Sequence, residues 1–428
     1  MAETRTHWSN WSGSVEAQPG EILEPRTEDE LAAIVARSSK VRVVGAGHSF
    51  MPLCETPGTL FRLDELEGRV EVAADRKSVR APAGWSLKKL TKALWDEGLS
   101  LPNQGDVNPQ SLAGAISTGT HGTGITLGSL ATIARGFRLV LADGSIAECS
   151  RAENQDLFEA QRLSLGLFGV VTQIEIDVLP AYHLEENIRV RTFAEIEEQW
   201  DALIEQHRHV EFWIFPYSDK VFLKTLDLCE PTAKAVDSKD LPQGIFQFCC
   251  DLGARFPAAI PLLQRIMMRV SNDGHRAGPA YRVFPSERTV RFEEMEYEVP
   301  LANGFAALRE AIARIRKERL PVTFPFEFRA VAADDIWMSP FNKGPCASIS
   351  MHQYGRMPFE GVFGQVEPIL RAHGGRPHWA KRHTLTARDV SALYPMAERF
   401  CAVREKTDPQ AKFANAHLSA LFGFPALS

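Results

Sequence analysis

A chain of 428 residues, 44% hydrophobic and 24% charged, is long enough for two cores and has the balance of a folded globular protein rather than a disordered one. Its formal net charge of -6, with lysine and arginine scattered rather than striped, offers a polyanion no surface and argues against nucleic acid as a partner. Seven cysteines, none in a Cys-x-x-Cys pair, exclude a zinc ribbon or a disulfide framework and point to free thiols in a reducing, cytoplasmic setting.

Residues 1–18 carry charges together with Trp8 and Trp11 and lack the apolar stretch of a signal peptide, so Asn10-Trp11-Ser12 reads as a chance match to the glycosylation acceptor pattern. Thr27 is placed to cap a helix over residues 28–38, whose first turn is acidic. A short β-branched run at 41–44 ends in Gly45-Ala46-Gly47, and strands are expected at 70–72 and 79–82 around a charged turn. Over 86–97, Leu87, Leu90, Ala93 and Leu94 share one face of a helix. Residues 137–149 read as a hairpin turned at Asp143-Gly144, and 170–179 alternate as a strand closed by Pro180. Beyond Pro180 long helices are expected at 192–206 and 303–317, with strands at 210–214, 327–331 and 347–354. The most apolar stretch, 245–270, is broken by Asp251, Arg255, Pro257, Pro261 and Arg265, short of the roughly 20 apolar residues of a spanning helix. It reads as buried or amphipathic helix, with peripheral membrane contact the less favoured alternative.

Two glycine-rich loops carry the chemistry. Val44-Gly45-Ala46-Gly47-His48-Ser49-Phe50 follows a strand, yet Phe50 stands where a dinucleotide fingerprint needs its third glycine, and Met51-Pro52 opens no helix. What it offers instead is closely spaced backbone N–H groups with little side-chain bulk, a place for a phosphate. The second loop, from Leu112 through Gly114, Ser117, Thr118, Gly119, Thr120, His121 and Gly122 to Gly124, is a short small-residue helix feeding a stretch of hydroxyls and amides. Two such loops suit a ligand with two phosphates. A nicotinamide-dependent dehydrogenase and a non-catalytic nucleotide-binding module remain as other readings of the same loops.

Together with Gly166-Leu167-Phe168-Gly169-Val170-Val171, these loops resemble the FAD domain of the vanillyl-alcohol oxidase superfamily. The resemblance implies an α+β fold: a two-subdomain FAD-binding domain over 1–180, a mixed α+β substrate domain over 181–400, and a segment over 401–428 that returns to the first. It implies FAD bound covalently through His48, since Gly47-His48-Ser49-Phe50 is similar to members bearing an 8α-histidyl flavin. No cysteine lies between 55 and 148 to form the second link known in some relatives. Cofactor contacts are implied for Val44 to Phe50, Gly105, Gly114, Ser117 to Gly122, Gly124, Gly169, Val170, Val171, Lys381 and Asn415, with Phe413 and His417 near the flavin's dimethylbenzene end. Towards the C-terminus, His378-Trp379-Ala380-Lys381, Glu327-Phe328-Arg329 and the run from Tyr394-Pro395 to Asp408-Pro409 resemble the aldonolactone oxidoreductase branch, which includes alditol oxidases.

That branch implies oxidation of a small sugar lactone or polyol. The Trp-Ala-Lys form leans toward an aldono-1,4-lactone of the L-gulono type, oxidised at its C2 hydroxyl, over an open-chain alditol. On a strand Glu327 and Arg329 share a face, Glu327 to hold substrate hydroxyls and Arg329 to stabilise the developing oxyanion. Lys381 adds positive charge, His352 is a candidate proton acceptor, and Asp106 a candidate substrate contact. Relatives that exclude oxygen carry alanine at the position matching Gly105; glycine there implies O2 as acceptor and H2O2 as product, a non-oxygen acceptor being the alternative. No metal is expected.

Overall fold

The computed structural model describes residues 6–231, 243–286 and 288–424. Near the N-terminus, strands Glu21–Leu23, Thr59–Phe61 and Val41–Val43 form a small parallel sheet. Helix Glu28–Arg37 starts where expected: the Thr27 side chain accepts from the Glu30 N–H, three acids occupy its first turn, and Leu31, Ile34 and Val35 are buried. A five-stranded antiparallel sheet follows, ordered Ile146–Ser150, Ala134–Val140, Val170–Asp177, Ser78–Pro82, Glu71–Val72. Helices Leu87–Asp96 and Leu112–Thr118 are capped by Ser86 and Ser111, and these two serines bridge to each other, so the starts of both helices are locked together.

The second half is built on one eight-stranded antiparallel sheet. Its order is Gly274–Pro279, His183–Thr192, Lys220–Cys229, His209–Ile214, Phe326–Val331, Cys346–Tyr354, Phe292–Pro300 and Arg376–Pro377. Because side chains alternate across a strand, each strand divides cleanly. Phe212, Phe326, Phe328, Ile349, Met295 and Tyr297 face helices Phe193–Gln206, Gly304–Glu318 and Glu360–Ala372 in a dry core with Trp200 and Leu308. Glu211, Glu294, Glu296, Glu298, Glu327, Arg329 and Ser348 take the other face, and they too are buried. A sheet buried on both faces, one apolar and one charged, is not a surface sheet; the charged face is where chemistry can be done.

The chain after Arg376 leaves this sheet. Trp379, Tyr394, Phe400, Leu418 and Phe422 join Leu90, Ile116, Phe158 and Phe168 in one core, so the last three helices pack on the N-terminal half. All seven cysteines are free thiols. Helices Gln243–Arg255 and Ile260–Val270 account for the apolar stretch, and no described helix is long and apolar enough to cross a membrane.

The expected helices and strands are present within one to three residues of their expected ends, the widest gap being the hairpin, which starts at Ala134 rather than 137. Strands that escaped the periodicity include Thr59–Phe61, His183–Thr192, Lys220–Cys229, Gly274–Pro279 and Phe292–Pro300. The last reads Phe-Glu-Glu-Met-Glu-Tyr-Glu-Val-Pro, which sequence logic assigns to solvent, yet all four of its glutamates are buried.

Candidate active site

Two cavities share Gln110, one within the N-terminal half and one against the charged face of the large sheet. The first is a groove between the two glycine loops, about 1100 Å³ with the adjoining solvent included. Its walls include Val44 to Ser49, Ser111, Gly114, Ser117, Thr118, Gly169, Val171, Ala380 and Phe413. The loops meet this closely because one is glycine: a Cβ on Gly45 would stand 2.4 Å from Ser111 Oγ. Gly47 turns at φ +69°, a left-handed conformation that favours glycine, and its carbonyl accepts from the Trp11 N–H. His48 stacks on Trp11 with ring centroids 5.1 Å apart. Burial, aided by the charge of Lys381, lowers its pKa to about 4, so the imidazole is neutral at physiological pH.

Arg42 lines the same groove and had no signal in the sequence beyond a charge within a β-branched strand. Its guanidinium donates to Gly166 O at 3.0 Å, Leu165 O at 2.8 Å and Phe413 O at 2.5 Å. One buried cation thereby ties three wall segments together through hydrogen bonds of the stronger, charge-assisted kind.

The second cavity, of about 490 Å³, opens beyond Gln110, which lines both. All six expected catalytic residues come together on it: Gly105, Asp106, Glu327, Arg329, His352 and Lys381. Glu327 and Arg329 are paired at 2.5 Å and almost fully buried. Arg329 Nε also reaches Glu211 at 3.2 Å, and these carboxylates outweigh its burial and raise its pKa further. The network continues across neighbouring strands, Lys224 sitting 3.0 Å from Glu211 and 3.4 Å from Glu186.

On the opposite wall Lys381 pairs with Glu294, and His352 Nε2 lies 3.4 Å from the same carboxylate. Burial opposes the charge on Glu294, but Lys381 and His352 prevail and hold its pKa at about 2. His352 Nδ1 faces the Pro325 carbonyl at 3.4 Å, so both ring nitrogens look onto acceptors. Asp106 is engaged by Arg288 and by Ser286 Oγ at 2.8 and 3.0 Å. Its carboxylate therefore anchors Arg288 in the cavity wall rather than pointing free at a ligand.

Eleven of the expected cofactor residues line the groove: Val44 to Ser49, Gly114, Ser117, Thr118, Gly169 and Val171. Gly105, Thr120, His121 and Lys381 face the second cavity instead. His121 is turned there by Glu296, 2.9 Å away, and Glu298, 3.5 Å away; burial disfavours its charge, but the two glutamates raise its pKa to about 10. These three residues are also the one described group compact enough to hold a metal ion. The remaining expected contacts lie off the groove for packing reasons. Phe50 packs with Phe292, Gly119 closes its helix at φ +78°, and Val170 is buried in its strand. A Cβ on Gly122 would strike Gln104 O at 2.2 Å, and the Gly124 N–H donates to Ala330 O. Asn415 caps the last helix and donates to Pro52 O and Glu55 O; His417 lies against His383. Glu294, Glu296, Glu211 and Arg288 were missed. The alternation of Glu294, Glu296 and Glu298 was the available signal, but alternation alone does not say that the polar face is covered.

The chain matches the family model described as D-arabinono-1,4-lactone oxidase over residues 174–421, and that described as FAD binding domain over 19–150. It is 36% identical to the L-gulono-1,4-lactone dehydrogenase of Mycobacterium tuberculosis, across 97% of this chain and 99% of that one. It is 32% identical to the L-gulonolactone oxidase of Scyliorhinus torazame, across 97% and 98%, and 31% identical to the alditol oxidase of a Streptomyces species, across 96% and 98%. Among solved structures, cholesterol oxidase from B. sterolicum superposes with a TM-score of 0.82 over 98% of this chain and 97% of that one; at 17% identity this is a likeness of fold.

Proposed function

Because the chain belongs to the D-arabinono-1,4-lactone oxidase family, the aldonolactone branch of the FAD-dependent oxidoreductases of the vanillyl-alcohol oxidase type, we propose that it oxidises the C2 hydroxyl of an aldono-1,4-lactone of the L-gulono type with O2 as acceptor. The lactone gives up its C2 hydrogen with the bonding pair, and the hydroxyl proton; dioxygen leaves as hydrogen peroxide. The 2-keto lactone formed can enolise to an ascorbate-type product. We read residues 1–180 as the FAD-binding unit, 181–400 as the substrate unit and 401–428 as the returning segment.

The groove suits FAD in chemistry. Its two loops approach through Gly45 and Ser111, and Ser111, Ser117 and Thr118 line it. Residues 44–49, 114, 117, 118, 169 and 171 are our candidates for holding the cofactor. Bound there, the flavin supplies the two-electron chemistry that no side chain can. His48, neutral and held flat against Trp11, is our candidate for the covalent link. Arg42 serves as a positioning residue, fixing the wall segments it bridges.

The observation that carries the substrate reading is the buried Glu327–Arg329 pair on the charged sheet face, lining one cavity with Lys381 and His352. Arg329, fixed by Glu211 and Glu327, presents a permanent positive charge to the oxygen on which negative charge develops, and no reorganisation is needed when it does. Glu327 accepts hydrogen bonds from substrate hydroxyls. Lys381, neutralised by Glu294, adds its charge to the second cavity, one residue on from Ala380 of the groove wall. His352 lines the same cavity and is our candidate acceptor of the hydroxyl proton, through a ring nitrogen that gives up its contact with Glu294 or with Pro325 O.

Gly105, on the second cavity where relatives that exclude oxygen carry alanine, supports oxygen as acceptor; a Cβ there would crowd the Thr120 methyl at 2.9 Å. A dehydrogenase is the second reading, favoured by the name of the mycobacterial relative. A steady-state panel of aldono-1,4-lactones, xylitol and sorbitol, with peroxide measured in parallel, tests both parts. Turnover of alditols alone overturns the substrate; substrate-driven bleaching that persists in air overturns the acceptor.

A further inference from the structure

Asn10, Trp11 and Ser12 line neither cavity, and by sequence they are only a chance match to a glycosylation pattern. They lie in the turn of a small hairpin between strands Trp8–Ser9 and Glu16–Ala17. Asn10 is 4% exposed, and its amide is engaged at both ends. Its Oδ1 accepts from the Ser14 and Val15 N–H groups at 3.0 and 3.1 Å, and its Nδ2 donates to Ser49 O at 2.9 Å and Ser12 Oγ at 3.0 Å. An asparagine so committed is the frame of the turn and closed to a sugar.

That turn grips the His48 loop at three points. The Trp11 N–H donates to Gly47 O at 2.8 Å and the Asn10 side chain to Ser49 O, so the residues on either side of His48 are both held from one hairpin. The third point is the ring: Trp11 lies over the His48 imidazole, with centroids 5.1 Å apart and planes 26° from parallel. Trp11 is itself held edge-on by Phe292 at 5.1 Å and Phe50 at 6.4 Å, and Trp8 roots the hairpin among Val15, Ala17, Val44 and Leu60. The Gly45-Ala46-Gly47 backbone that precedes His48 is too free to fix an imidazole unaided. Room for a phosphate and a rigid mount for a side chain are opposite demands on one loop, and the hairpin supplies the mount.

We propose that Asn10 and Trp11 are positioning residues for covalent attachment of the flavin, holding the His48 imidazole in one attitude toward the groove; this rests on His48 being the point of attachment. The bond joins an imidazole nitrogen to the flavin 8α-methyl carbon and displaces one hydrogen from each. Those two hydrogens, as two protons and two electrons, reduce the flavin, and dioxygen removes them as hydrogen peroxide. Such a step needs its reacting atoms held roughly 3–3.5 Å apart and aligned, and a misplacement of about 1 Å costs about 10²-fold.

The test is the covalent fraction: flavin that stays with the acid-precipitated polypeptide over total flavin, in full-length protein harvested early in expression so that slower attachment shows. Trp11→Ala is expected to hold total flavin within about twofold of the wild type and to lower the covalent fraction about tenfold or more. Trp11→Phe, which keeps a flat ring beside His48, restores most of it. Asn10→Asp keeps the acceptor for Ser14 and Val15 but loses the donor to Ser49 O, and it too lowers the fraction. Trp200→Phe, in the core behind the large sheet, is the control for lost stability and keeps the wild-type fraction. A wild-type covalent fraction in both Trp11→Ala and Asn10→Asp overturns the proposal and leaves attachment at His48 standing. An equal fall in Trp200→Phe, or total flavin lost in step with covalent flavin in Trp11→Ala, marks a merely structural role and overturns it as well. Flavin released from the wild type overturns the attachment and the proposal with it.

Discussion

Replacing Arg329 by lysine retains a positive charge in the buried site and removes the fork. The guanidinium spans two carboxylates, with Nη2 2.5 Å from Glu327 and Nε 3.2 Å from Glu211. A single ammonium cannot keep both contacts and also address a ligand. One charge-assisted hydrogen bond of about 1.5–3 kcal/mol is lost from the fold, and one buried carboxylate is left poorly compensated. The oxyanion meanwhile loses a fixed donor, which typically lowers turnover by about 10²-fold, or roughly 2.7 kcal/mol of barrier. The assay is anaerobic stopped-flow bleaching of the flavin by L-gulono-1,4-lactone, with a thermal melt and the visible spectrum as controls for folding. The expected result is bleaching slowed by about two orders of magnitude in a protein that still holds flavin. Bleaching within threefold of the wild type refutes the role assigned to the fork, whatever the melt shows.

Acid denaturation of the wild type is expected to leave the yellow colour on the peptide bearing His48, whereas His48→Ala releases any flavin it binds; free flavin from the wild type refutes the link. Gly105→Ala places a methyl 2.9 Å from the Thr120 side chain and is expected to slow reoxidation by O2 at least tenfold while sparing reduction and reoxidation by a small quinone. Arg42→Met leaves the carbonyls of Leu165, Gly166 and Phe413 without their donor, at about 1–3 kcal/mol for each that stays dry; a large drop in both melting temperature and flavin content is expected, and unchanged flavin content would argue against positioning. Glu294 is held at about 2 against a usual 4.5. Its folded-state pKa is lowered, so the stability it contributes is complete above pH 4.5 and is lost as pH falls toward 2. The melting-temperature gap between wild type and Glu294→Gln should therefore be constant above about pH 5 and close below it.

The sequence by itself determined the capped helices and the two glycine loops. Thr27, Ser86, Ser111 and Thr192 cap the helices they precede, because a hydroxyl before an apolar-periodic run satisfies orphan N–H groups without outside help. The glycine loops were legible for the same reason: backbone freedom and small side chains are properties of the residues themselves. Glu327, Arg329, His352 and Lys381 were legible through resemblance, and the tertiary structure brings all four to one cavity. Nothing local distinguishes Glu294, Glu296 and Glu211 from surface glutamates. They become buried because the charged face of the large sheet is covered by the N-terminal half, and their charges hold because Lys381, His121, Arg329 and Lys224 arrive from strands and loops far along the chain. His121 shows the same division. Its loop is local, but its direction, away from the groove and toward Glu296, is set by a partner 175 residues distant. Burying a charge is costly unless an opposite charge meets it, and which charges meet is decided by how the two halves close on each other.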